Sequence, residues 1–251
     1  LETNGNTKKT IAKDQLKEMG YWDSIMDYIS TFDTDFYNIY KDFLCTPYTN
    51  HIFDAKTIEL IHIAINASPT NLCQSKLEMH MKNAINHGSK KEEIFEVLKL
   101  VSVLGMHTCA VGIPILVDEY NAYSNDSMPV KLNESQKEQK DQFIKKMGYW
   151  NRFRDILLVN DEPFFESYLK VLTNPWEKDI ISAKLKEFIY IAIDSSTTHL
   201  FENGIRIHIR NALKYGASFE EIMEILKIVS TQGSSTFHIS LPILEEALSE
   251  I

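Results

Sequence analysis

The feature that most constrains this chain is an internal repeat at a fixed offset of 128 residues. Lys17-Glu18-Met19-Gly20-Tyr21-Trp22 returns as Lys145-Lys146-Met147-Gly148-Tyr149-Trp150, and Ile61-His62-Ile63-Ala64-Ile65 returns as Ile189-Tyr190-Ile191-Ala192-Ile193. The same offset carries His80-Met81-Lys82-Asn83-Ala84 onto His208-Ile209-Arg210-Asn211-Ala212, and Pro114-Ile115-Leu116 onto Pro242-Ile243-Leu244. With no gap, 39 of the 104 aligned pairs from Lys17 to Tyr120 are identical, which marks a tandem duplication. The polar stretch from Asn121 to Glu138, with Ser124, Asn125, Asp126, Ser127 and Pro129, reads as the connection. The expected organisation is a first domain over 1–122, a linker over 123–138 and a second domain over 139–251.

Each repeat reads as helices, so the expected fold class is all-α, with two helical domains related by duplication. Leu77, Met81, Ala84 and Ile85 follow helical spacing and return as Ile205, Ile209, Ala212 and Leu213. Gly88 and Gly216 stand where a helix commonly ends in a left-handed residue. Ser89 to Glu92 and Ser218 to Glu221 have the Ser-x-x-Glu form of a capping box, followed by the stripes Ile94, Val97, Leu98, Val101 and Ile222, Ile225, Leu226, Val229. Ala55 to Ala67 is apolar nearly all round, as a helix in the middle of a domain is. Its polar residues Lys56, Glu59, His62 and Asn66 fall on one side, copied as Lys184, Glu187, Tyr190 and Asp194. The Gly-Tyr-Trp blocks, Phe36, Tyr40, Phe164 and Tyr168 read as core packing.

Charge and composition narrow the function. A formal net charge of −9 opposes both phosphate backbones and anionic lipid, so neither nucleic acid nor a membrane surface is expected as partner. No apolar run reads as long enough to span a bilayer, and the start, Leu1 to Lys9, is polar rather than signal-like. Three cysteines without a close pair argue against a disulfide framework and for a reducing, cytoplasmic setting.

Two groups recur in both repeats at positions suited to chemistry. His80 and His208 face the core side of their helix, where burial favours a neutral ring able to accept a proton, although a hydrogen-bonded core histidine fits the same spacing. Glu59 and Glu187 sit on an otherwise apolar helix, so each should reach solvent, pair with a cation or line a cavity, and an exposed ion pair with Lys56 or Lys184, three residues earlier, fits the same spacing. His199 and His238 belong to the second repeat alone and join His208 and Glu187 as candidates to orient it or the substrate, while His107 belongs to the first. No local metal-ligand spacing occurs, and no metal or cofactor is expected.

His80-x-x-x-Ala84-x-x-x-Gly88-x-x-x-Glu92-Glu93-Ile94-x-Glu96-Val97-Leu98, with its copy from His208 to Leu226, resembles the central signature of the carboxymuconolactone decarboxylase family. Lys56-x-x-Glu59-Leu60-Ile61-x-Ile63-Ala64 and its copy from Lys184 resemble the helix before it. The resemblance implies the AhpD-like all-α fold and homo-oligomers, a trimer for a tandem chain or else a dimer. It also implies one of two chemistries. One is peroxide reduction through a Glu, a Cys-x-x-Cys pair and a His; the other is cofactor-free decarboxylation of a lactone acid. His80 and His208 match the motif histidine, and Glu59 and Glu187 the motif glutamate. The cysteine pair is absent: Cys73 is followed by Lys76, and its copy reads Phe201 and Gly204. That departure favours decarboxylation or isomerisation of a small organic acid or lactone over a peroxidase using one Cys with an external thiol. A non-catalytic module that binds a ligand or partner is the reading from a different class.

Overall fold

The computed structural model describes residues 16–17, 21–125 and 127–250, and among these every regular element is helical. The first repeat contributes α1 (Ser24–Phe32), α2 (Thr34–Thr49), α3 (Ala55–Ala67), α4 (Gln74–Asn86), α5 (Lys91–Ser102) and α6 (His107–Ser124). After α7 (Glu134–Met147), the second repeats them as α8 (Arg152–Asn160), α9 (Glu162–Thr173), α10 (Ala183–Asp194), α11 (Glu202–Lys214), α12 (Phe219–Ser230) and α13 (Ser235–Ser249). Residues 1–9 and 18–20, on which the reading of the start and part of the first Gly-Tyr-Trp block rest, lie outside the described residues.

Local chemistry sets the ends of these helices. Asp23, Asp54 and Ser182 cap α1, α3 and α10 by accepting from the backbone N–H groups of Met26, Thr57 and Leu185 at 2.9, 2.7 and 3.2 Å. Gly88 and Gly216 close α4 and α11 at φ +85° and +81°, a conformation that costs any residue with a Cβ. The capping box at Ser218 and Glu221 forms as the sequence suggests. In the first repeat the cap instead falls one residue later. Glu93 accepts from the Lys90 N–H at 2.8 Å, and Lys90 has no side-chain acceptor to return the bond.

Every residue from Ile58 to Asn66 in α3 is buried, and so is every residue from Lys186 to Asp194 in α10. These two helices pack against each other at the centre. Neither repeat keeps a core to itself: Leu60, Ile63 and Val97 cluster with Ile189 and Ile193, while Ile61 and Ile65 cluster with Phe188, Ile191 and Ile225. Truncating a residue such as Ile189 to Ala would therefore loosen both halves, at a cost of ~2–5 kcal/mol.

The last helix of each repeat crosses to the other. α6 packs on α8, and α13 packs on α1 and α4, so each repeat supplies one wall of its neighbour's interior. The helix phase also differs from the periodicity reading in places. Ile85 and Leu213 are exposed, because α4 and α11 turn His80 and Asn83, and His208 and Asn211, inward. Phe36 and Phe164 are likewise exposed, and their neighbours Tyr37 and Phe165 fill the core; Tyr168 is buried as expected. The helical stretch Lys91–Ser124 contradicts the expectation about apolar runs, since it is long and apolar enough to cross a membrane by length and composition. It is interrupted by a 3-10 turn at Leu104–Met106, and its second half is the helix that packs on α8.

Candidate active site

Two pockets result, one built around each repeat's Glu–His pair. In the second repeat, His208 on α11 places Nδ1 2.7 Å from Oε2 of Glu187 on α10. Asn211, one turn along α11, donates to the other Glu187 oxygen at 3.1 Å and to the Met147 carbonyl at 3.3 Å. Tyr190 stacks on the His208 ring at 4.5 Å and Tyr149 meets it edge-on at 6.1 Å. With Nδ1 engaged and the ring clamped between aromatics, Nε2 is the atom left for proton exchange; the Asp194 carboxylate lies 3.9 Å from it.

The wall opposite comes from elsewhere in the chain. His107, at the start of α6, reaches across from the first repeat into this pocket, as do Met106 and Ala110. Arg154 of α8 lines it too. Its guanidinium is buried against the rings of Phe143, Tyr149, Phe153 and Tyr168 and donates one bond, at 2.7 Å, to the Tyr168 hydroxyl, while Nε and Nη1 have no hydrogen-bond partner. Neither oxygen of buried Asp194 accepts a hydrogen bond, and burial, only partly offset by His208, pushes this carboxyl up to about 7. Gly204 makes the room: a Cβ there would collide with Asp194 Oδ2 and lie 2.7 Å from the Phe201 ring. The cleft opens to solvent and, opening included, encloses about 530 Å³ of space not filled by atoms.

The first repeat keeps the pair and changes the surroundings. His80 Nδ1 lies 2.8 Å from Glu59 Oε2, and the Tyr48 hydroxyl donates to Glu59 Oε1 at 3.3 Å. His62 replaces the tyrosine on the stacking side, its ring parallel to His80 at 4.2 Å. Burial raises Glu59 to about 9 and drives His62 to about 3; burial and then the charges of His62 and Lys76 hold His80 well below the usual imidazole range. Lys76 stands where the second repeat has Gly204, is lowered by burial to about 8, and donates to the Ser234 hydroxyl of the other repeat.

The structure thus unites His208 with Glu187, and His80 with Glu59, but redistributes the remaining candidates. His238 is not a neighbour of His208. Because α13 crosses over, it lines the first pocket, with Nε2 2.8 Å from Asp23 and Nδ1 3.0 Å from the Ser234 carbonyl. His199 stays beside the second pocket's mouth, 2.7 Å from His107. Glu59 and Glu187 are buried rather than paired at the surface, and the nearby lysines bind other partners, Lys56 holding Glu93 at 2.6 Å and Lys184 holding Glu221 at 2.8 Å. Arg154, Asp194, Tyr190 and Gly204 complete the site; Tyr190 and Asp194 stand on the polar side of α10 noted in the sequence, but none of the four is a sequence candidate for the chemistry. The signal available was their departure from the repeat, where Met26, Asn66, His62 and Lys76 stand.

The carboxymuconolactone decarboxylase family pattern matches residues 35–106 and again 162–235, once in each repeat and over both Glu–His pairs. The chain belongs to this family. A crystal structure from Burkholderia xenovorans LB400, whose assignment as a gamma-carboxymuconolactone decarboxylase subunit is itself provisional, superposes with a TM-score of 0.89 at 36% sequence identity. The match covers 94% of this chain and 96% of that one, so the tandem arrangement is shared along the whole length. No curated protein matches the chain. Both matched segments contain a Glu–His pair, and the walls around the two pairs differ within this chain.

Proposed function

We propose that the pocket around His208 carries out cofactor-free proton transfer on a small organic acid or lactone, with decarboxylation, or isomerisation as its variant, as the reaction. The observation that carries this reading is Arg154, a buried guanidinium with two unpartnered nitrogens in the same pocket as the His208–Glu187 pair. A guanidinium offers a carboxylate paired, charge-assisted hydrogen bonds, and the surrounding rings exclude the water that would weaken them. In decarboxylation the C–C bond to the carboxylate breaks, CO2 leaves, and the bonding pair moves onto the adjacent carbonyl as an enolate, which a buried cation stabilises. His208 Nε2, oriented by Glu187, then gives its proton to the carbon and recovers one from solvent. Atoms and charge balance with no redox partner.

Peroxide reduction has less support. It would have to use Cys73 or Cys109 with an external thiol, and neither is among the residues that line the pocket of His208. Homo-oligomers, trimers first and dimers second, belong to the same proposal. They are supported by the apolar side chains of Val111, Ile115, Leu116, Ile239, Ile243 and Leu244, which α6 and α13 leave exposed.

The test is CO2 release from a panel of small lactone carboxylates. Arg154→Met is expected to lower kcat/KM roughly 10- to 100-fold, the loss typical of a hydrogen bond to a charged group. Equal values for Arg154→Met and the native chain would remove the carboxylate-binding role.

A further inference from the structure

At the mouth of the second pocket, three side chains that bind metals elsewhere in proteins converge from both repeats. His107 Nδ1 lies 2.7 Å from His199 Nε2 and 3.7 Å from Asp194 Oδ1, and one ligand atom from each of the three falls within 4.8 Å of the others. We propose that His107, Asp194 and His199 form a binding site for a first-row divalent transition-metal ion, of the Zn, Co, Fe or Ni kind.

Three arguments support it. First, Asp194 is 1% exposed, yet neither of its oxygens accepts a hydrogen bond, which is costly for a buried carboxyl unless a ligand satisfies it. Second, the equivalent place in the first repeat is built differently at all three positions, with Ser235, Asn66 and Asn71. There the amides close on themselves: Asn66 donates to the His62 carbonyl at 2.8 Å and Asn71 to Asn66 at 3.2 Å. The second repeat opens that network and substitutes two imidazoles and a carboxylate. Third, two imidazoles and one carboxylate are a donor set that suits these metals, and three protein ligands leave a position for water. Arg154 lines the same pocket and its charge works against a cation, but Asp194 and, behind His208, Glu187 place two carboxyl groups on the other side of the balance. A search for local spacing misses such a site, because one ligand comes from position 107 and the others from 194 and 199.

Titration of the chelator-stripped full chain with Co2+, followed by its visible ligand-field absorption and by calorimetry, tests the assignment. The expected result is one ion per chain. Asp194→Asn and His199→Asn, which install the first repeat's own residues, should each weaken it at least about tenfold, the loss that even outer-layer partners cause. His208→Asn should keep the ion while losing turnover, so the failure of this site and the failure of the proton-transfer reading are distinguishable. Absence of binding by the native chain, or unchanged binding by an Asp194→Asn/His199→Asn double variant whose circular dichroism is native, would overturn the proposal.

Discussion

The two pockets share a Glu–His pair with almost the same geometry, 2.8 Å in the first repeat and 2.7 Å in the second, but differ in what surrounds it. In the first, several polar groups satisfy one another, Lys76 with Ser234, His238 with Asp23 and Asn71 with Asn66, and the buried atoms left without a partner are uncharged ones such as His80 Nε2 and the Tyr21 hydroxyl. In the second, Arg154 and Asp194 are buried with capacity to spare. A duplicated core can thus hold one Glu–His pair in register while the residues around it diverge, both on its own repeat's helices, as at Arg154, Tyr190 and Gly204, and on the helix that crosses from the other repeat, as at His107 and His238.

The largest expected effect breaks this comparison outright. His208→Asn should lower turnover roughly 10²- to 10⁴-fold, the usual weight of a positioned acid or base. His80→Asn should leave turnover within a few-fold of native. Equal losses in steady-state assays of the two variants would make the pockets functional equals. Next comes the fit of Gly204 to Asp194. Gly204→Ala should destabilise the fold by about 1–3 kcal/mol through overpacking, read by urea denaturation. Asp194→Ala in the same chain should recover part of that loss, whereas strict additivity would show that the two positions do not compete for space.

A smaller effect is the pH dependence of the first pocket. Glu59, at about 9 against an ordinary 4.5, holds a proton in the folded chain that the unfolded chain has released, so stability falls as pH rises between those values. His62 and His80 are shifted down. The unfolded chain binds their protons below about pH 6.5, and their effect, a rise of stability with pH, is complete there. Lys76, at about 8 against 10.5, adds a rise only above about 8. Between about pH 6.5 and 8, therefore, the native chain should lose stability relative to Glu59→Gln. Parallel curves would contradict the protonated state of Glu59. The smallest expectation concerns assembly, where light scattering at micromolar concentration should give a trimer, or else a dimer, and not a 29.0 kDa monomer.

Much of this was legible in the sequence. The repeat, the helices and the pairs Glu59–His80 and Glu187–His208 follow from an ungapped offset, from apolar spacing and from the resemblance those residues carry. The crossing of α6 and α13 does not follow, because periodicity reports which face of a helix is buried and not which neighbour covers it. For that reason the sequence groups His238 with His208 though it lines the other pocket, and does not show that His107, a residue of the first repeat, lines the second pocket. Arg154 escaped notice because a cation on a helix is ordinarily at the surface; only the rings of Phe143, Tyr149, Phe153 and Tyr168, drawn from three helices and the loop before α8, make its burial possible.

The proposed role of His208 is to move a proton to or from carbon in the second pocket. Its most direct test is nuclear magnetic resonance of small lactone acids incubated with the chain in deuterated water. Deuterium is expected at the carbon that lost CO2, or at an acidic C–H of the unreacted acid. This label should disappear in His208→Asn and persist in His80→Asn. Labelling that survives in His208→Asn at the native rate would contradict it.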